Sequence, residues 1–284
     1  NIKNDICLGE KMKKILCSTG ALIGMPNNRD FSLIKKCVPN INSDGFEFMM
    51  YSTWYGLEGD ILKFLLELNI NIPVMHCEKH IGEYISKGSK EDLAEAVRRF
   101  EINCKMAKTL SVHKMVVHLW DGVTSDSNFL NNLEAYGILR KIAVAYEIDL
   151  LIENVVCNHE NPMKHWMELL NRYPDIHFIY DTKMAAFHCQ ENLLYDDKYD
   201  ILWKEKHIRH YHVNDYGGGY MEWSRLKTLP PGKGHFDFDK FFDYIRKIGY
   251  NDTFTVEATA FGNDGKIDIN MLNKCFEKIR RYIG

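Results

Sequence analysis
The chain has 284 residues, 45% hydrophobic and 12% aromatic, enough for one large core. A net charge of -3 and a pI of about 6.5 give no basic field to attract nucleic acid or an anionic membrane. No apolar run approaches the ~20 residues that span a bilayer, and Asn1 to Lys14 is polar without the apolar stretch of a secretory signal. The eight cysteines (Cys7, Cys17, Cys37, Cys77, Cys104, Cys157, Cys189 and Cys275) are scattered, with no C-x-x-C pair. That pattern favours free thiols in a reducing compartment, hence a cytoplasmic protein; a disulfide framework is the alternative.

Lys14 to Gly20 reads as a first strand ended by glycine, and Phe31 to Val38 has helical spacing stopped by Pro39. Asp44 to Met50 is a second strand. Leu57 to Leu68 places Ile61, Leu62, Leu65, Leu66 and Leu68 on a buried helix face. Ile72 to His76 is a third strand, with Pro73 tolerated at its start. Ser89 then caps a helix that runs to about Leu110, with acids in its first turn. Lys114 to Leu119 is a fourth strand and Leu130 to Ala145 another amphipathic helix. A fifth strand, from Leu150, ends at Glu153. Asn161-Pro162 opens a helix through Trp166, Leu169 and Leu170. A sixth strand, from Phe178, ends at Asp181, and a short helix is expected within Leu193 to Glu205. Ile208 to Asp215 is a seventh strand, ended by Gly217-Gly218-Gly219. Phe238 to Ile248 is a helix, an eighth strand from Phe254 ends at Glu257, and Ile269 to Tyr282 is the last helix.

Strand and helix thus alternate eight times, at the spacing that βα units require. The strands are apolar on both faces, as strands buried on both sides must be. The expectation is an α/β fold, a single (β/α)8 TIM barrel over residues 1–284. The rival, a doubly wound open sheet, would more often carry a glycine-rich phosphate turn after its first strand, and Ser18-Thr19-Gly20-Ala21 is not one.

In such a barrel the C-terminal strand ends line the active site. Glu153, Asp181, His212 and Glu257 end four successive strands, and three carboxylates converging without a cation would repel. Oxygen ligands with one imidazole suit one divalent ion, Mn, Mg, Co or Zn. Each residue alone has a plainer explanation: Asp181 before Thr182, for instance, reads as a helix cap. His210 shares a strand face with His212 and is read as a packed layer histidine. His76 and His118 end strands and are candidate substrate contacts, with hydrogen-bonded core histidines the alternative. Glu47 is a further candidate for reaching the cavity. Lys79-His80 reads as loop surface. In Pro231-Gly232-Lys233-Gly234-His235, Lys233 is a candidate for binding a substrate oxyanion, on a weak motif.

Five segments together resemble the xylose-isomerase-like TIM-barrel superfamily, which holds sugar isomerases and epimerases, inosose dehydratases and family 2 abasic-site endonucleases. They are I-E-N at Ile152 to Asn154, D-T at Asp181-Thr182, H-V-N-D at His212 to Asp215, P-G-K-G-H-F-D-F at Pro231 to Phe238 and T-V-E at Thr255 to Glu257. The resemblance runs from the first strand to the last helix. It implies one divalent ion held by Glu153, Asp181, His212 and Glu257. The chain departs from the family at one point: the usual histidine three residues after the strand-six aspartate is Met184 here. His188, one helical turn on, is the candidate replacement, and Lys183 puts a cation near the mouth.

The first functional expectation is a metal-dependent isomerase or epimerase of a small-molecule sugar or polyol. Glu153 and Glu257 would exchange a proton with carbon on either side of a metal-stabilised enediolate. A degenerate barrel that binds a sugar without turnover is the second. An abasic-site endonuclease is the third, disfavoured by the acidic balance and by the ligand lost at Met184. No nucleic acid or membrane is expected as partner. A homo-oligomer is left open.

Overall fold
Eight short strands pair in sequence order and close on themselves as a parallel barrel, the (β/α)8 TIM barrel expected from the alternation. This computed structural model describes residues 14–262 and 264–284, so Cys7 and the polar stretch before Lys14 lie outside the described residues. The strands are β1 Lys14–Ser18, β2 Gly45–Met49, β3 Val74–His76, β4 Lys114–Val117, β5 Asp149–Glu153, β6 His177–Asp181, β7 Ile208–His212 and β8 Thr253–Val256. The α-helices around them are α1 Ile34–Cys37, α2 Glu58–Leu68, α3 His80–Lys87, α4 Lys90–Thr109, α5 Phe129–Ala145, α6 Pro162–Arg172, α7 Thr182–Phe187, α8 Asp200–Lys204, α9 Phe238–Lys247 and α10 Ile269–Ile283.

Residues two apart on a strand share a face, and this period sorts the side chains. Facing outward, Phe178 and Tyr180 of β6 meet Trp166 and Trp203, and Tyr211 of β7 packs on Phe241, Tyr250 and Phe254. Each such ring taken fully from water contributes about 1.5–3 kcal/mol. Inside the barrel, Leu16, Val74, Val116, Leu151 and Ile179 form a separate apolar cluster. Two residues further along those strands come Ser18, His76, His118, Glu153 and Asp181, so the apolar layer is roofed by a polar one. The register of β6 on β7 shifts once: Phe178 pairs with Ile208 but Ile179 with His210, skipping Arg209. That irregularity sets His212 beside Asp181.

Helix starts follow local chemistry. Ser89 Oγ accepts from Asp92 N at 3.0 Å and opens α4, and Asn161 caps α6 ahead of Pro162. Several expectations needed adjustment. Phe31 to Val38 divides into a 3-10 turn and the four-residue α1, and Leu193 to Glu205 into 3-10 turns and α8. The stretch taken as loop surface at His80 is the start of α3. Gly82 lets that helix lie on the next loop, because a Cβ there would sit 2.5 Å from His118 O. The seven described cysteines are free thiols, with Cys189 exposed and the others buried. No helix among the described residues is long and apolar enough to cross a membrane.

Candidate active site
The four strand-end residues expected as ligands converge around one nitrogen. His212 Nδ1 lies 3.2 Å from Glu257 Oε2 and 3.6 Å from Glu153 Oε1. Ligand atoms of Glu153, Asp181 and His212 all lie within 4.8 Å of one another. Glu153, Asp181 and His212 are almost wholly buried and Glu257 is partly so.

Backbone and side-chain contacts fix each group. His212 Nε2 donates to Glu47 at 3.0 Å, which leaves Nδ1 directed at the acids. Glu47 is fully buried, and it also accepts from His210 Nε2 at 2.9 Å and Thr255 Oγ1 at 2.7 Å. The expectation that Glu47 touches substrate is therefore corrected: its oxygens are taken up in orienting His212 from within the barrel. His210 is the packed layer histidine expected, with Nδ1 2.7 Å from Thr253 Oγ1.

Two asparagines tie neighbouring strand ends together. Asn154, just past β5, accepts from Asp181 N at 2.6 Å and donates to Asp181 O at 3.1 Å. Asn214, just past β7, accepts from Glu257 N at 2.8 Å and donates to Glu257 Oε2 at 3.1 Å. Thr182 Oγ1 accepts from Asn214 N at 3.0 Å and so links the two pairs. Asp181 is both cap and candidate ligand: Oδ1 accepts from Lys183 N at 2.7 Å and opens α7, while buried Oδ2 makes no hydrogen bond.

His76 and His118 both end on Glu153. His76 Nδ1 donates to Cys77 O at 2.7 Å, and its Nε2 sits 3.2 Å from Glu153 Oε2. His118 Nδ1 donates to Asp121 at 2.6 Å and its Nε2 lies 3.0 Å from the same Glu153 oxygen. Burial opposes charge on His118, but Glu153 and Asp121 outweigh it and raise its pKa. Burial likewise pushes the Glu153 carboxyl up, and His118, His212 and His76 overcome this to hold it well below the usual range. Glu257 is held at about 2 against burial, chiefly by His212. Asp181 goes the other way. Burial pushes it up, Glu153 and Glu257 add to the push, and it reaches about 6 despite Lys183 and His212.

These residues fit a divalent ion. Asp181 Oδ2 and His212 Nδ1 are buried polar atoms without a hydrogen bond, beside carboxylate oxygens of Glu153 and Glu257. Three carboxylates and one imidazole nitrogen suit a hard or borderline cation. Glu257, Glu47 and Glu153 overcome burial and hold the His212 imidazole well above its usual pKa, so a proton would compete with any cation for Nδ1.

Above this centre is a cavity of about 260 Å³, lined by Glu257, Lys183 and the loops after β1, β2 and β3. Lys183 Nζ donates to Thr228 Oγ1 at 3.1 Å and stands 3.8 Å from Asp181 Oδ2. Lys79, set aside in the sequence as loop surface, also lines the cavity. Lys79 is exposed at the cavity rim, and Glu257, Glu153 and Asp121 outweigh the loss of water there and raise its pKa. Nothing in the sequence around Lys79 marks it, since it lies next to the unrecognised α3.

Two expected substrate contacts lie elsewhere. His188 accepts from Cys157 N at 3.1 Å, and burial lowers its pKa to about 4, so it packs against the β5 loop and does not replace the missing histidine. Lys233 is exposed. Its loop is built around buried Asp215, which accepts from Gly232 N at 2.7 Å, Gly234 N at 2.8 Å and Phe236 N at 3.1 Å. The glycine motif is thus a structural turn held by the aspartate of H-V-N-D.

Residues 39–275 match the family described as xylose isomerase-like TIM barrel. No curated protein is significantly similar in sequence. Among solved structures, a D-tagatose 3-epimerase-like protein is 19% identical with a TM-score of 0.68, covering 95% of this chain and 96% of its own. D-allulose 3-epimerase from Methylomonas sp., in complex with D-allulose, is 14% identical with a TM-score of 0.70, covering 96% and 98%. D-psicose 3-epimerase from Clostridium cellulolyticum H10, with D-tagatose, is 13% identical with a TM-score of 0.66, covering 95% and 99%. At these identities the likeness is one of fold.

Proposed function
The chain belongs to the xylose isomerase-like TIM barrel family, and from this we propose that it is a metal-dependent isomerase or epimerase of a sugar or polyol. The observation that carries the reading is the convergence of Glu153, Asp181 and Glu257 on His212 Nδ1 below a cavity at the barrel mouth. A divalent ion (Mn, Mg, Co or Zn) held by these four residues would supply Lewis-acid polarisation of the substrate's oxygens.

The chain's own groups then divide the proton work. Glu153 and Glu257 both approach His212 Nδ1, and both are held ionised, as a base must be. An acid is also needed to return the proton. His118, whose pKa Glu153 and Asp121 raise, can carry one, with its Nε2 3.0 Å from Glu153 Oε2. Glu153 with His118 therefore forms a pair that can accept a proton from carbon and give one back. Glu257, with one oxygen fixed by Asn214, serves the other face of the substrate.

A second reading has its own observation. The Lys183 ammonium, 3.8 Å from Asp181, is a built-in cation at the acids, as a barrel that binds sugars without turnover would carry. Solvent-deuterium exchange into ketoses, inososes and their phosphates, with and without added Mn, Mg, Co or Zn, separates the two. Metal-dependent incorporation at a substrate carbon is expected. Binding without exchange or turnover would favour the second reading, and turnover without exchange would point to a hydride shift between adjacent carbons.

A further inference from the structure
We infer that the substrate is an anionic sugar, a phosphate ester or a sugar acid, whose charged group is held by Arg29, Lys79 and Lys183. This rests on the isomerase or epimerase reading and adds a substrate class to it. The three cations come from separate segments, Arg29 from the loop after β1, Lys79 from the loop after β3 and Lys183 from the first turn of α7, and all line the one cavity. Some surface cations are paired, as Arg98 and Arg99 are with Glu95 and Arg280 with Asp44, but what sets these three apart is that they share one cavity. At the cavity, among the described residues, Arg29 and Lys79 have no carboxylate within ion-pair distance, and Lys183 has Asp181 at 3.8 Å.

Arg29 is held in place. It adopts a left-handed backbone, φ 53°, tied by its own N to Gly24 O at 2.9 Å and by Trp54 Nε1 to its carbonyl at 2.9 Å. Its guanidinium lies 5.2 Å from the centroid of the Tyr51 ring, and its Nε is buried without a hydrogen bond. A buried guanidinium donor without an acceptor is costly unless a ligand supplies one.

The deeper charges favour the same occupant. Asp181 lies 3.8 Å from Lys183 Nζ, and Glu257 lines the cavity together with Lys79 and Lys183. A divalent ion among Glu153, Asp181 and Glu257 would cancel most of their charge, so the three cations that line the cavity would be left with little counter-charge. A neutral sugar would leave them unpaired as water is expelled. A phosphate or carboxylate would pair with them, and Arg29 can bind either in a two-pronged fashion.

The test uses the full chain reconstituted with metal. Calorimetric binding and solvent-deuterium exchange would be compared for a ketohexose, its 6-phosphate and a 2-keto sugar acid. At least one anionic probe should bind tenfold tighter or better than the neutral ketose, and whichever does so names the anion. That preference should shrink as salt rises. Arg29→Gln and Lys79→Gln should each reduce it at least threefold, and Arg29→Lys should restore part of it. Equal binding of all three probes, or a preference untouched in both Gln variants, would overturn the inference. Exchange into the neutral ketose without an anion preference refutes the anion site but not the enzyme. A salt-sensitive anion preference without exchange or turnover supports the anion site and counts against the isomerase.

Discussion

Asp181→Asn separates the cost of the acid cage from its use. The Asp181 side chain is fully buried, and the carboxyl is pushed up to about 6 from the model-peptide 3.8. Between those values the folded protein binds a proton that the unfolded chain does not. Stability from this group therefore falls as pH rises through that window, and above it the full cost applies. Two pKa units correspond to about 3 kcal/mol. Asparagine keeps the oxygen that caps Lys183 N and loses the charge; the attraction to Lys183, 3.8 Å away, is already contained in that shift, but the new amide NH2 is buried beside the Lys183 ammonium. A net gain of about 1–2 kcal/mol in the metal-free protein at pH 8 remains, fading toward pH 4. With metal present the sign reverses, because a ligand has been removed. Urea denaturation at pH 4.5 and pH 8, in chelator and in excess Mn, reads both effects, and metal analysis reads the ligand. A variant less stable than wild type in chelator at pH 8, or one that keeps its full metal content, would refute this account.

Glu257→Gln should lower turnover and deuterium exchange about 10²–10⁴-fold while changing substrate binding far less, in steady-state and binding assays run side by side. Glu47→Gln should weaken metal binding about 10–100-fold by competition titration without touching the substrate, because one amide oxygen cannot serve His210, His212 and Thr255 together. Gly234→Ala should cost about 1–3 kcal/mol in thermal or urea unfolding, since a Cβ there overlaps Tyr216 O and Asp215 Oδ1. Lys233→Ala beside it should leave both stability and KM within about twofold, as an exposed side chain away from the cavity implies.

The barrel was legible because the strands are apolar runs bounded by glycine, proline or acid, and most of the longer helices between them keep a helical period, unlike the broken stretches at Phe31 to Val38 and Leu193 to Glu205. Glu153, Asp181, His212 and Glu257 were legible because each closes such a run. What the sequence hid was direction and distance. Glu47 and His212 are 165 residues apart, and only the closed barrel shows that they meet. His188 matched by helical offset, yet α7 is a single short turn of helix that carries it to Cys157. Lys79 was hidden because α3 follows a loop with no side-chain cap to announce it. The glycines at 232 and 234 suggested an anion loop; the anion they hold is Asp215, from the same chain.

The paired asparagines bear on how such a barrel could acquire new substrates. Asn154 and Asn214 hold Asp181 and Glu257 from within the wall, at positions one or two residues past the strands. Two of the cavity's cations, Arg29 and Lys79, ride on loops that those contacts do not involve, whereas Lys183 is tied to Asp181 itself. Insertions or exchanges in the rim can therefore alter what is admitted while the acids below keep their spacing. Grafting the segment around Arg29 onto a relative should transfer ligand preference, whereas replacing Asn154 or Asn214 should disturb chemistry toward every ligand alike.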